Sequence, residues 1–126
     1  GNEHTEVVGI SISGSEESTT ERMRNVLDMI TDEMGISRSF IPDVEISVND
    51  QYIGEGYGRP TAEGIAAIRT VAENEGVILD PVYTGKCMAA MLDLLQKNML
   101  PNARDVVFLH TGGAPAIHPY ADYFSS

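Results

Sequence analysis

At 126 residues, with 42% apolar and 21% charged side chains, the chain has the make-up of one globular domain that buries a core, and disorder is excluded. A net charge of −11 repels phosphate backbones and anionic lipid, so nucleic acid and membrane are not the expected partners. The single cysteine excludes an internal disulfide and suits a reducing, cytoplasmic compartment; no 18-residue apolar run occurs, and the opening residues do not have the basic-then-apolar pattern of a signal peptide.

The first strand-like run, Val7 to Ser13, is β-branched and nearly continuous in apolar character, as in a buried parallel strand. It starts within six residues of Gly1, which reads as a cut through a larger protein. Ser18 with Glu21 has the form of a capping box, and Met23, Val26, Leu27, Ile30 and Met34 follow on one helical face until Gly35 ends it. Val44, Ile46 and Val48 alternate with polar residues, as in an edge or half-exposed strand. A glycine-rich stretch, Gly54 to Pro60, leads into a helix from about Thr61 to Gly76. Val77 to Leu79 allows a brief strand, and a third helix follows Asp80-Pro81-Val82-Tyr83-Thr84-Gly85-Lys86. Val106 to Thr111 is the clearest remaining strand, turned by Gly112-Gly113.

This alternation predicts an α/β fold, three-layered, with a mainly parallel sheet and crossover helices. Ligands in such folds sit beyond the carboxyl ends of the strands, which singles out the loops 54–61, 80–86 and 110–115.

Within them, Thr84-Gly85-Lys86 looks like the tail of a phosphate loop. The motif needs glycine at position 80 and a hydroxyl at 87, where Asp80 and Cys87 stand. The simpler reading makes Thr84 a helix N-cap with Lys86 reaching water; anion binding at the helix N-terminus is the alternative. Tyr57, between two glycines, is either packed on the domain or presented to a ligand. His4, His110 and His118 lack zinc-like spacing, His110 and His118 read as structural, and Cys87 reads as a small buried side chain.

Three segments in this order and spacing, EGYGRPTAEG (55–64), EGVILDPVYTGKCM (75–88) and HTGGAPAIHPY (110–120), resemble the carboxyl-terminal part of the 1-aminocyclopropane-1-carboxylate deaminase and D-cysteine desulfhydrase family. These are fold-type-II, tryptophan-synthase-β-like lyases and deaminases of amino-acid metabolism. They use pyridoxal 5′-phosphate (PLP). The resemblance runs from about Val7 to Phe124 and implies that residues 1–126 form a single unit, the carboxyl-terminal portion of the PLP-binding large domain. It implies a catalytic role for Tyr57 and Tyr83 on the substrate side, and cofactor contacts from Thr84, Thr111, Gly112 and Gly113.

The deaminases carry glutamate where this chain has Thr84, and a non-hydroxyl residue where it has Thr111. A carboxylate near the pyridine nitrogen makes the ring a strong electron sink. Neutral hydroxyls suffice when a good β-leaving group departs. The two threonines therefore favour D-cysteine desulfhydrase-like α,β-elimination, giving pyruvate, ammonia and sulfide, over deamination of 1-aminocyclopropane-1-carboxylate. The family's Schiff-base lysine and phosphate-binding loop belong to an upstream region that is absent, and the only lysines are Lys86 and Lys97. The expectation is a fragment without normal turnover alone, acting on a small amino acid in its intact parent and self-associating, as a homodimer or otherwise. A non-catalytic binding or assembly domain is the competing reading.

Overall fold

The computed structural model describes residues 6–40 and 47–125. His4, and residues 44–46 of the expected second strand, lie outside them. In chain order the elements are β1 (Val8–Ile10), α1 (Glu16–Glu33), a 3₁₀ turn (Arg38–Phe40), β2 (Ser47–Asn49), α2 (Ala62–Glu75), α3 (Thr84–Gln96) and a 3₁₀ segment (Ala114–Phe124) broken at Tyr120. β1 and β2 pair in parallel with Val8 opposite Ser47 and Ile10 opposite Asn49, and the Ser11 N–H extends the ladder to the Asn49 carbonyl at 2.9 Å. Parallel strands need a crossover, which here contains α1.

α1 starts earlier than its capping-box pattern suggests. Ser15, not Ser18, is the N-cap, and its Oγ accepts from the Ser18 N–H at 3.3 Å. Glu16 and Glu17 then fall in the first turn, where the helix dipole favours carboxylates. Gly35 follows the C-cap at φ 62°, as the sequence indicates. The apolar face is not covered: Met23, Val26, Ile30 and Met34 are exposed, while Thr31 is the buried residue of the helix.

The core lies between α2 and α3. Ala67, Ile68, Leu79, Met88 and Ala89 form it, with Ile65, Val71, Met91, Phe108, Ile117 and Phe124 packed around. The helices approach closely because their facing positions are small. A Cβ on Gly85 would lie 2.7 Å from the Asp80 carbonyl oxygen and 2.8 Å from Ile68 Cδ1. α2 is closed by its expected caps, Thr61 Oγ1 accepting from the Gly64 N–H at 3.0 Å and Gly76 at φ 67°.

The two remaining expected strands, Val77–Leu79 and Val106–Thr111, are not strands here: among the described residues only β1 and β2 form a ladder. The two segments are held together by His110 Nε2 at 3.1 Å from the Ile78 carbonyl. Around Phe108 the side chains still alternate as in a strand with one face covered. Phe108 packs on the core, whereas Val107 is 87% and Leu109 79% exposed. What these residues lack is a ladder partner, not strand character.

Candidate active site at the meeting of three loops

The start of α3 is organised by Asp80 rather than by the expected N-cap Thr84, which is already the first helical residue. The Asp80 side chain is fully buried. Its Oδ1 accepts from the N–H groups of Val82 (2.8 Å) and Tyr83 (2.7 Å), and its Oδ2 from the Thr84 N–H (2.9 Å) and hydroxyl (2.6 Å). The Thr84 hydroxyl in turn accepts from the Asp80 N–H at 2.8 Å. These bonds satisfy the orphan donors of the helix start, and Pro81 within the turn has no N–H to place. Burial pushes the Asp80 carboxyl up, but the Thr84 hydroxyl and the N–H groups of Thr84, Tyr83 and Val82 outweigh it and hold it below its ordinary value.

Tyr83, fixed by that turn, points its phenol at Tyr57 from the glycine-rich loop. The two hydroxyls are hydrogen-bonded, with the rings edge-on at 6.0 Å and 69°. Both are well exposed, Tyr57 at 61% and Tyr83 at 43%, so the Tyr57 ring is presented outward rather than packed on the domain. The bond to Tyr57 raises the Tyr83 pKa, and burial adds to it.

Lys86 corrects the sequence reading. It does not reach water: it is 0% exposed, and its Nζ donates to the carbonyls of Ile53 (2.6 Å) and Gly56 (2.9 Å) beneath the glycine-rich loop. Two inward-turned carbonyls replace the solvent, so the amine does not serve as an anion site at the helix N-terminus either.

The 110–120 segment completes the junction. A Cβ on Gly113 would sit 2.5 Å from Asp80 Oδ2, and the residue has φ 95°, so only glycine fits against the buried carboxylate. The Gly112 N–H donates to His110 Nδ1 at 3.0 Å, which leaves the ring proton on Nε2 to donate to Ile78. His110 is thus structural, as expected. Tyr120 donates to the Gly58 carbonyl at 3.0 Å, tying this segment to the loop bearing Tyr57. Thr111 and Gly112 are exposed on the same turn. All three loops selected from sequence therefore meet.

Sequence reasoning missed Asp80, Lys86 and Tyr120 as organisers. Two signals were legible: an Asp-Pro pair just ahead of a helix start, and a lysine in a first helical turn, where the dipole disfavours it unless a special acceptor exists. Cys87 is half-buried and burial pushes its thiol up, as for a packing residue. Among the described residues no group of three or more His, Cys, Asp or Glu side chains could hold a metal, and no helix is long and apolar enough to cross a membrane.

Residues 1–112 match the family described as pyridoxal-phosphate dependent enzyme. The chain belongs to this family. Within the PLP-dependent enzymes it is 39% identical over 118 residues to a 1-aminocyclopropane-1-carboxylate deaminase of Rhizobium leguminosarum bv. viciae, covering 94% of this chain and 34% of that protein. It is 36% identical over 115 residues to a D-cysteine desulfhydrase of Yersinia pestis (strain Pestoides F), covering 91% of this chain and 34% of that one. A crystal structure described as an ACC deaminase homologue superposes with a TM-score of 0.78 at 33% identity, over 94% of this chain and 34% of the other. The α/β, fold-type-II architecture with parallel strands is that of this PLP family. The chain spans about a third of the length of the curated relatives it matches.

The residues fit one side of a PLP site. The loop junction offers two exposed phenols and a glycine turn whose Gly112 would meet nothing within 4 Å at its Cβ position. An anchoring amine is not among them. Lys86 is enclosed by carbonyls, and Lys97 pairs with Asp93 at 2.7 Å on the surface.

Proposed function

We propose that the chain is the carboxyl-terminal portion of the PLP-bearing domain of a D-cysteine desulfhydrase-like enzyme, and that its three loops form one wall of the active site. The observation that carries this reading is the hydrogen-bonded Tyr57–Tyr83 pair, exposed where the three loops meet. PLP, when bound, supplies the electron sink that acidifies Cα–H of an amino acid. The chain's own residues orient the substrate and control protons. Two bonded phenols use one hydroxyl hydrogen between them, which leaves the other to donate to a substrate carboxylate or to exchange near Cα. A phenol is a donor at neutral pH in any case, and the bond to Tyr57 raises the Tyr83 pKa further.

Thr111, Gly112 and Gly113 face the cofactor in this reading. Thr84 serves it at one remove, because its hydroxyl is committed to Asp80. Neither threonine adds a carboxylate, which suits elimination. The Cα–H and Cβ–S bonds of D-cysteine break, sulfide departs, and water carries the remaining three-carbon unit to pyruvate and ammonia. The likeness to named deaminases supports a second reading, opening of 1-aminocyclopropane-1-carboxylate, on the same wall. The anchoring lysine comes from a segment beyond this chain. In the cell the enzyme is cytoplasmic and self-associated, consistent with the acidic surface and the uncovered apolar side chains of α1.

The test is turnover by the assembled, lysine-containing protein. Sulfide and pyruvate from D-cysteine, with no ammonia from 1-aminocyclopropane-1-carboxylate, is the expected outcome. The reverse selects the deaminase, and turnover of neither with retained amino-acid binding selects a non-catalytic role.

A further inference from the structure

Lys86 is a buried titratable group that the reaction above does not use. Its position is costly, since burying an ammonium with no carboxylate beside it is unfavourable. The ion pairs formed among the described residues are Arg38–Asp28 and Lys97–Asp93, and Lys86 takes part in neither. Burial accordingly lowers its pKa. Its two acceptors are not scattered. Both carbonyls belong to the glycine-rich loop, one at Ile53 and one at Gly56. The chain reaches them by turning through Gly54 at φ 68°, Gly56 at φ 134° and Gly58 at φ 71°, backbone angles that favour glycine.

The second bond is the telling one. The Gly56 carbonyl and the Tyr57 N–H are two ends of one planar peptide unit, so a fixed carbonyl fixes the plane from which the Tyr57 side chain departs. On the far side of Tyr57, the next carbonyl but one, that of Gly58, is held by the Tyr120 hydroxyl.

We propose that Lys86 is a positioning residue for Tyr57: its amine, reaching up from α3, holds the peptide before Tyr57 so that the Tyr57 hydroxyl meets that of Tyr83. The proposal rests on the reading of the phenol pair as part of the active site, yet the geometry it asserts is measurable without turnover. α3 then sets both members of the pair. Its capping turn fixes Tyr83 through Asp80, and its first turn fixes Tyr57 through Lys86.

Lys86→Met keeps the apolar stem and removes the hydrogen bonds. In this chain, with ring-labelled tyrosine followed by NMR, Tyr83 should titrate lower than in the parent, as it should in Tyr57→Phe. Lys86→Gln, which retains two N–H donors, should restore part of the shift. An unchanged Tyr83 titration in Lys86→Met overturns the proposal, whatever the substrate. In the assembled enzyme, Lys86→Met should lower kcat/KM for D-cysteine roughly tenfold to a hundredfold, the scale of a misplaced catalytic group. That loss should largely vanish in a Tyr57→Phe background, whereas losses that multiply mean that Lys86 acts on stability alone.

Position 86 need not tolerate change for the test to decide. Coupling is reciprocal, so releasing the exposed Tyr57 by Tyr57→Phe should raise the rate at which an amine reagent labels Lys86. An equal rate overturns the proposal. A shifted Tyr83 titration in Lys86→Met with no turnover of D-cysteine would leave the positioning role standing and remove the assigned reaction.

Discussion

Asp80 takes part in most of the local geometry at the loop junction, so its replacement has a defined signature. Asp80→Asn loses the charge that holds the Thr84 hydroxyl and puts an amide where an acceptor stood. A loss of about 3 kcal/mol in denaturant unfolding is expected for breaking charged, buried hydrogen bonds. The pH dependence follows in sign. The carboxyl titrates lower in the fold than in the unfolded chain, so its stabilisation is complete above the ordinary aspartate range. It is lost as pH falls through the depressed native value. Acid unfolding of Asp80→Asn should accordingly be flatter than that of the parent. Gly113→Ala should cost about 1–3 kcal/mol by the same measurement, since it adds a positive-φ penalty to a 2.5 Å overlap with Asp80 Oδ2. At this scale Tyr57 and Tyr83 were singled out in sequence through motif likeness, and the structure brings their hydroxyls together. Asp80 and Lys86 were not, because a carboxylate or an amine is assumed to seek water unless its acceptors and donors are known. Those partners lie up to 33 residues away along the chain.

Helix limits were legible wherever the stop signal was a backbone necessity. Gly35 and Gly76 both adopt positive φ and end their helices where the sequence places them. Start signals were ambiguous when several capping residues stood together, as in Ser15 to Thr20, where the first-turn carboxylates decide. Thr61 had no such competition. Thr61→Ala should cost about 1 kcal/mol of stability through the lost bond to the Gly64 N–H, measured by thermal unfolding. α3 also grips the preceding loop through Tyr52, whose hydroxyl donates to Asp93 at 2.6 Å; burial first, then Asp93, pushes its pKa up to about 12. The strands were the least legible elements. Val77–Leu79 and Val106–Thr111 have strand composition and, around Phe108, strand alternation. A strand is completed by a neighbour's carbonyls and N–H groups, however, and composition does not say whether a neighbour is there.

For the molecule as a whole, large apolar side chains stand uncovered among the described residues on the α1 face, at Met23, Val26, Met29, Ile30 and Met34, and on the outward side of Val107 and Leu109. Monomeric proteins seldom leave so many large apolar side chains open together. Sedimentation in dilute solution should therefore show this chain self-associated, and a clean monomer would count against the expectation. Replacing Val26 and Ile30 with glutamate should shift the distribution towards monomer without disturbing the α2–α3 core, which neither residue touches. The α/β class and the family were readable from element order and three motifs. The uncovered faces were not, since a hydrophobic stripe marks a surface to be buried without naming what buries it.

The contact between Asp80 and Gly113 has a consequence for how such sequences can drift. The space a side chain at 113 would need is the space the carboxylate fills, so the two positions are a single site as far as mutation is concerned. A side chain at 113, already strained by φ 95°, finds room only after 80 has shrunk, and a shrunken 80 leaves three N–H groups to be answered by something else. Neither letter is free to change first.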